Sequence, residues 1–169
     1  QMILRKQLKE NFGTCPHCEH HFRVHYLEFL DSILDSESFT EIAQGVRSTD
    51  PLGFVDLVKY SDRIKDHERR SGIGASVSVG VGRIDGRPVG IGIHEFSFVG
   101  ASLGSAEGER ICRLIDRCVQ DRMPLILICR SGGARMQEAA LSLMQMAKIN
   151  ARLTQLADAR LPFISVLSD

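Results

Sequence analysis

The stretch PLILICRSGGARMQEAALSLMQMAK, Pro124 to Lys148, joins an apolar run to a long helical pattern through two adjacent glycines. PLILIC has the length and composition of a buried strand. From Ala134 to about Ala157 apolar residues recur at helical spacing, with Leu143, Met146, Ile149 or Asn150, Leu153 and Leu156 near one face. A second apolar run, LPFISVL, begins at Leu161 and also reads as a buried strand. Strand, long helix and strand in this order imply a parallel crossover, so the second half of the chain is α/β with layered packing. Glycine costs backbone entropy in an ordered element. Gly132 and Gly133 therefore need either an unusual backbone angle or close approach by another group.

Upstream, Val77, Val79 and Val81 alternate with small residues, IDGR supplies an Asp-Gly turn, and Val89, Ile91 and Ile93 resume the alternation. That pattern is a β-hairpin. A glycine- and serine-rich loop, FSFVGASLGSAEG, follows, and Ile111, Leu114, Ile115 and Cys118 then mark one face of a helix. Nearer the start, His25 to Leu34 reads as a short amphipathic helix, SFTEIA as a short strand, RSTDPLGF as loop, and Asp56 to Arg69 as a charged, solvated helix. This divides the chain into a small polar module over 1–24, a helical connecting segment over 25–70 and an α/β unit over 71–169.

Composition narrows the possible functions. The chain has 169 residues, 43% of them hydrophobic, enough for a real core. Lys+Arg and Asp+Glu both number 21, so no global field draws it to nucleic acid or to an anionic membrane. No apolar run approaches the roughly 18 residues a bilayer span needs, and the cytoplasm is the expected compartment. Cys112, Cys118 and Cys129 sit singly in apolar patterns and read as reduced core residues. The sequence opens at Gln1 without an initiator methionine and stops at Asp169 just after an apolar run, which reads as a fragment of a longer protein.

Two motifs carry chemistry. CPHC places Cys15 and Cys18 at the spacing of a zinc-ribbon knuckle, whose thiolates share one tetrahedral Zn²⁺. It is half of such a site. A thioredoxin-like redox pair would open a helix in a βαβ pattern, which is absent; His17, His20 and His21 are the local candidates to complete coordination, unless the pair has no special role. The double glycine has a functional and a bland reading. A helix N-terminus presents unpaired N–H groups that glycines let an anionic oxygen approach, the geometry of an oxyanion hole, and the alternative is a tight turn and nothing more. VGASLGS is a second loop of close backbone approach after a strand. Met136, Met144 and Met146 read as core filling, and His94 and Glu95 as the exposed face of a strand without a role.

CPHCEHHFR, DPLGFVDLVKYSDR, FSFVGASLGSAEGERI, PLILICRSGGARMQEAALSLMQMAK and LPFISVLSD together resemble the β subunits of bacterial acetyl-coenzyme A carboxylase carboxyltransferase, in order and spacing, from the first residues to the last. The resemblance implies a crotonase-like (ClpP/crotonase) fold, a spiral of ββα units, preceded by a zinc ribbon whose metal is held by four cysteines. Cys15 and Cys18 match the second CxxC. The first would lie upstream of Gln1, which leaves a truncated ribbon and an incomplete Zn²⁺ site. The family continues past Asp169, so the α/β unit is the N-terminal part of its domain.

The resemblance further implies carboxyl transfer from carboxybiotin, borne on the biotin carboxyl carrier protein, to acetyl-CoA, giving malonyl-CoA for fatty-acid synthesis. The family is usually read as using biotin's own nitrogen as the base. Gly132 and Gly133 become backbone donors to an enolate oxygen, and Gly100, Ala101, Ser102, Gly104, Ser131, Ala134 and Arg135 become substrate-binding. Ala101 departs from the Gly-Gly that the family typically has in the first loop. The implied partners are the α subunit in an α2β2 heterotetramer, the carrier protein and biotin carboxylase. The 169 residues alone are expected to be inactive. Two alternatives stand beside this reading: a carboxyltransferase for another acyl-CoA such as propionyl-CoA, and RNA or DNA binding through the basic N-terminal ribbon.

Overall fold

β2 (Val77–Ile84) and β3 (Arg87–His94) form the expected hairpin in the computed structural model of the chain, which describes residues 3–168. The fragment reading drew on Gln1 and Asp169, which lie outside the described residues. Asp85 and Gly86 turn the hairpin with φ of 50° and 75°, the two positive angles of a type I′ turn. The Asp35 carboxylate accepts both turn amides at 2.9 Å, fixing the turn from outside the hairpin.

Among the described residues, five strands make one sheet in sequence order. β1 (Thr40–Glu41) pairs antiparallel with β2, whereas β4 (Leu125–Cys129) and β5 (Phe163–Leu167) extend β3 in parallel. The parallel connections run through α4 (Ser105–Asp121) and α5 (Ala139–Asp158). α1 (Arg5–Glu10) belongs to the N-terminal module, and α2 (Tyr26–Ile33) and α3 (Tyr60–Ser71) cover the other face of the sheet.

The period of two places the core on both faces. Val89, Ile91 and Ile93 of β3 pack with Tyr26, Leu30, Tyr60 and Ile64, so the 25–70 segment shares this core. Val77, Val79, Leu125 and Leu127 face Ile111, Leu114, Ile115 and Cys118 of α4. α4 lies close to the sheet because β3 is glycine on that side: a Cβ at Gly90 would sit 2.1 Å from Cys118 Sγ.

Several expectations need correction. The early strand is two residues long, and the charged helix starts at Tyr60, since Asp56 accepts the Val58 amide at 3.0 Å and ties its own loop instead of entering the helix. α5 starts at Ala139, after a 3₁₀ turn over Met136–Glu138, and not at Ala134. Its buried residues are Ser142, Gln145 and Leu156, since Gln145 packs on Gly108 of α4. Met136, Met144 and Met146 are exposed and not core, as is Leu143. β5 is hydrogen-bonded to β4, yet its side chains are exposed, up to 82% at Leu167. His94 and Glu95 are buried instead of surface residues. Burial alone would raise the Glu95 carboxyl, but the N–H groups of Ser97 and Tyr26 hold it below the usual range, and the Tyr26 bond caps α2.

Candidate active site

Two loops leave the C-terminal ends of neighbouring parallel strands, residues 95–104 after β3 and 130–138 after β4, which is where open α/β sheets hold ligands. They are zipped together. Leu103 N–H donates to Gly133 O at 2.8 Å, Arg135 N–H to Leu103 O at 2.9 Å, and Gly132 N–H to Gly100 O at 2.9 Å. Leu103 and Ala134 thus form a parallel β-bridge.

Each glycine of the pair meets one of the two needs. A Cβ at Gly132 would lie 2.7 Å from Gly100 O, so glycine there serves close approach of the two loops. Gly133 has φ +97° with open space around it, so glycine there serves the backbone angle. The facing loop is tight as well: Val99, Gly100 and Ala101 follow one another at φ of 46°, 61° and 54°. Ala101 takes the left-handed angle with its methyl fully buried.

The zipper decides which amides a ligand can reach. The Gly132 N–H, expected as an oxyanion donor, is bonded to Gly100 O, which leaves Gly133 N–H as the one of the pair that faces outward. The pair also does not open a helix, since five residues separate Gly133 from the start of α5. Gly133 N–H points at the exposed Ser131 hydroxyl, 3.1 Å away, a partner a ligand oxygen can replace. Because Gly133 O and Arg135 N–H both face Leu103, Ala134 N–H points the other way, and among the described residues it has no acceptor. Ser131, Gly132, Gly133 and Ala134 form the exposed rim, with Gly100 half-buried beside them. Ser102 and Gly104 are buried, their polar groups spent on Val99 O, Arg135 and Glu107.

Arg135, expected to bind substrate, is 0% exposed. Its guanidinium contacts Glu107 Oε1 at 2.8 Å, Ser102 O at 2.5 Å, Ser102 Oγ and Ser48 Oγ at 3.0 Å and Tyr60 OH at 3.1 Å. Burial would raise the Glu107 carboxyl, but the Arg135 charge holds it below the carboxylate range; burial would lower Arg135, and Glu107 holds it up. Tyr60 OH donates to Glu138 at 2.9 Å, and desolvation raises the phenol well above its normal value. Glu107, Glu138, Tyr60, Ser48 and Ser76 escaped the sequence reading, whose only signal for them was Glu three residues after Gly104, the spacing of a capping box.

In the N-terminal module, Thr14 and His21 bridge and the CPHC turn closes between them. Cys15 is buried and Cys18 exposed. The His17 and Cys18 amides lower the Cys15 thiol from its ordinary value, as a metal-binding knuckle would. Among the described residues no group of three or more Cys, His, Asp or Glu is placed to hold a metal ion, so Cys15 and Cys18 as they stand fit half of a four-ligand site. A cavity of about 610 Å³ separates this module from α2 and reaches Arg130, the residue before Ser131. No helix among the described residues is long and apolar enough to cross a membrane.

Residues 26–168 match the model of the carboxyl transferase domain. The chain is 47% identical over 169 residues to an acetyl-coenzyme A carboxylase carboxyl transferase subunit beta of Citrifermentans bemidjiense, covering 100% of this chain and 60% of that protein. The chain thus spans about 60% of the length of the curated relatives it matches. Among solved structures, transcarboxylase 12S with hydrolysed methylmalonyl-coenzyme A bound superposes with a TM-score of 0.70 at 22% identity, over 97% of this chain and 30% of that one. A Pseudomonas malonate decarboxylase hetero-tetramer in complex with malonate gives 0.62 at 25% identity, over 84% and 49%. The α/β, crotonase-like fold expected from the sequence agrees with these likenesses, while the zinc ribbon rests on Cys15 and Cys18 alone.

Proposed function

The chain belongs to the carboxyl transferase domain family, and on that premise we propose that it supplies the acyl-CoA side of a biotin-dependent carboxyltransferase that converts acetyl-CoA to malonyl-CoA. The observation that carries the reading is the zipped loop pair. It leaves the Gly133 and Ala134 amides as the donors on the exposed rim that are not tied to the facing loop.

Removing a methyl proton from a thioester places negative charge on the carbonyl oxygen. Preorganised N–H donors favour that charge over the neutral ground state, so they lower the barrier. The methyl C–H bond would break with its proton passing to the ureido nitrogen of the carboxybiotin co-substrate once carbon dioxide has left it, and the methyl carbon would bond to that carbon dioxide. Atoms and charge balance without a protein base. The choice of acetyl-CoA follows the 47% identical relative.

The carboxybiotin that supplies this carbon dioxide would arrive on its carrier protein, charged by biotin carboxylase, and an α subunit would complete the site. The exposed apolar faces of β5 and α5, with Ile164, Leu167, Leu143 and Met144, support a covering protein surface of that kind. Cys15 and Cys18 would hold one side of a structural Zn²⁺ and have no part in the chemistry. The cytoplasm, where acetyl-CoA and the carrier meet, is the compartment this reading requires.

The test is the complete β subunit assembled with its α subunit and given carboxylated biotin with acetyl-CoA or propionyl-CoA. Malonyl-CoA formation with acetyl-CoA preferred is expected. No malonyl-CoA, or a preference for propionyl-CoA, overturns the reading.

A further inference from the structure

We infer that Arg135 is a positioning residue that aims the Ala134 amide by clamping the first loop to the second. The inference rests on the donor role just proposed for that amide.

Its physical basis is how completely the exit of the first loop is held. Ser102 is gripped by the Arg135 side chain through Oγ at 3.0 Å and its carbonyl at 2.5 Å. Leu103 is bonded on both sides, to Gly133 O and Arg135 N–H. Gly104 N–H goes to Glu107 at 3.0 Å and Ser105 N–H to Glu138 at 2.7 Å. Glu107 is itself the carboxylate on Arg135, and Ser76 N–H bonds to it at 2.7 Å, which anchors the cluster to the residue preceding β2.

The main chain and side chain of Arg135 therefore hold consecutive residues of one loop. That fixes the register of the bridge. Peptide groups alternate along an extended strand, so a slip of one residue would turn the Ala134 N–H inward, away from a ligand. Only arginine offers five donors in a planar fork able to reach Glu107, both Ser102 oxygens, Ser48 and Tyr60 together; lysine has three donors on one atom. A buried ion pair is weak evidence for stability, and register is its best-attested use.

The experiment uses the complete carboxyltransferase assembly with Arg135→Lys, with an ester in place of the 133–134 amide (lactic acid for Ala134), and with both. Folded fraction, Tm, KM for acetyl-CoA and kcat per folded site are measured. Expected for Arg135→Lys is a kcat loss of roughly 10- to 100-fold at a KM within about twofold, because a transition-state interaction and not uniform binding is lost. Expected for the double variant is no loss beyond that of the ester alone, because both changes remove one interaction.

A lower Tm with unchanged kcat per folded site, a raised KM at normal kcat, or losses that multiply in the double variant would each overturn the inference. If the ester is slow and Arg135→Lys is not, the donor reading survives and the inference falls. If the ester turns over normally, the donor reading fails and the inference with it. Should Arg135→Lys fail to fold, Ser102→Ala, which removes one acceptor from the guanidinium and keeps the ion pair, is read by the same kcat-against-KM criterion.

Discussion

Gly132 donates its amide to the carbonyl of Gly100 at 2.9 Å, joining the loops that follow β3 and β4. The bond removes Gly132 from the donors a ligand could meet and makes it a hinge pin. Its neighbour faces open space. Two adjacent glycines therefore have separable physics.

Separate substitutions should show it. In Gly132→Ala the new methyl meets backbone oxygen at 2.7 Å, which cannot rotate away, so the loops must part and both stability and turnover should fall. In Gly133→Ala nothing is struck, and the cost is the left-handed angle alone, about 1–2 kcal/mol. Denaturant midpoints of the two variants check this. Equal midpoints, or a more stable Gly132→Ala, would contradict the assignment.

Acid should weaken the fold through Glu107. Its folded pKa is depressed by Arg135, so its contribution is fully present above the unfolded value of about 4.3 and is lost as pH falls toward the folded pKa. Glu107→Gln should be less stable at pH 7, with an uncompensated buried arginine, and should lose less on going to pH 3.5. Urea titrations of both proteins at the two pH values measure it, and parallel losses would refute the linkage.

Thiol labelling should follow exposure and desolvation. Cys18 is exposed, whereas burial pushes the Cys118 thiol up to about 12. With iodoacetamide at pH 7.5 and no metal present, Cys18 should be modified first and Cys118 only on unfolding, as read by peptide mass spectrometry. Native-state labelling of Cys118 at a rate comparable to Cys18 would mean that α4 does not seal against β3.

The hairpin, the parallel crossover and the two glycine loops were legible in the sequence because each has a local signature: Asp-Gly between alternating valines, an apolar run before a long helical period, glycine after a strand. What the loops do to each other was not legible. Gly132 pairs with Gly100, and Arg135 with Glu107, across separations that no local pattern encodes. The resemblance alone made Arg135 substrate-binding, and burial places its guanidinium in the interior. The helix reading from Ala134 failed for the same reason, since pairing with Leu103 draws 133–135 into an extended form before α5 can start. The methionines of α5 read as core by period alone, and Gln145 against Gly108 turned that face outward.

The donor role of the Ala134 amide is decided by turnover of the complete carboxyltransferase with an ester replacing the 133–134 amide, alongside a control ester that removes the Leu103 N–H. Both weaken the bond between Leu103 and Gly133, but only the first removes the outward donor. The 134 ester should lose roughly 10²- to 10³-fold in kcat, the range for one oxyanion donor, while the 103 ester loses far less at a similar Tm. Equal turnover in the two esters would contradict that role.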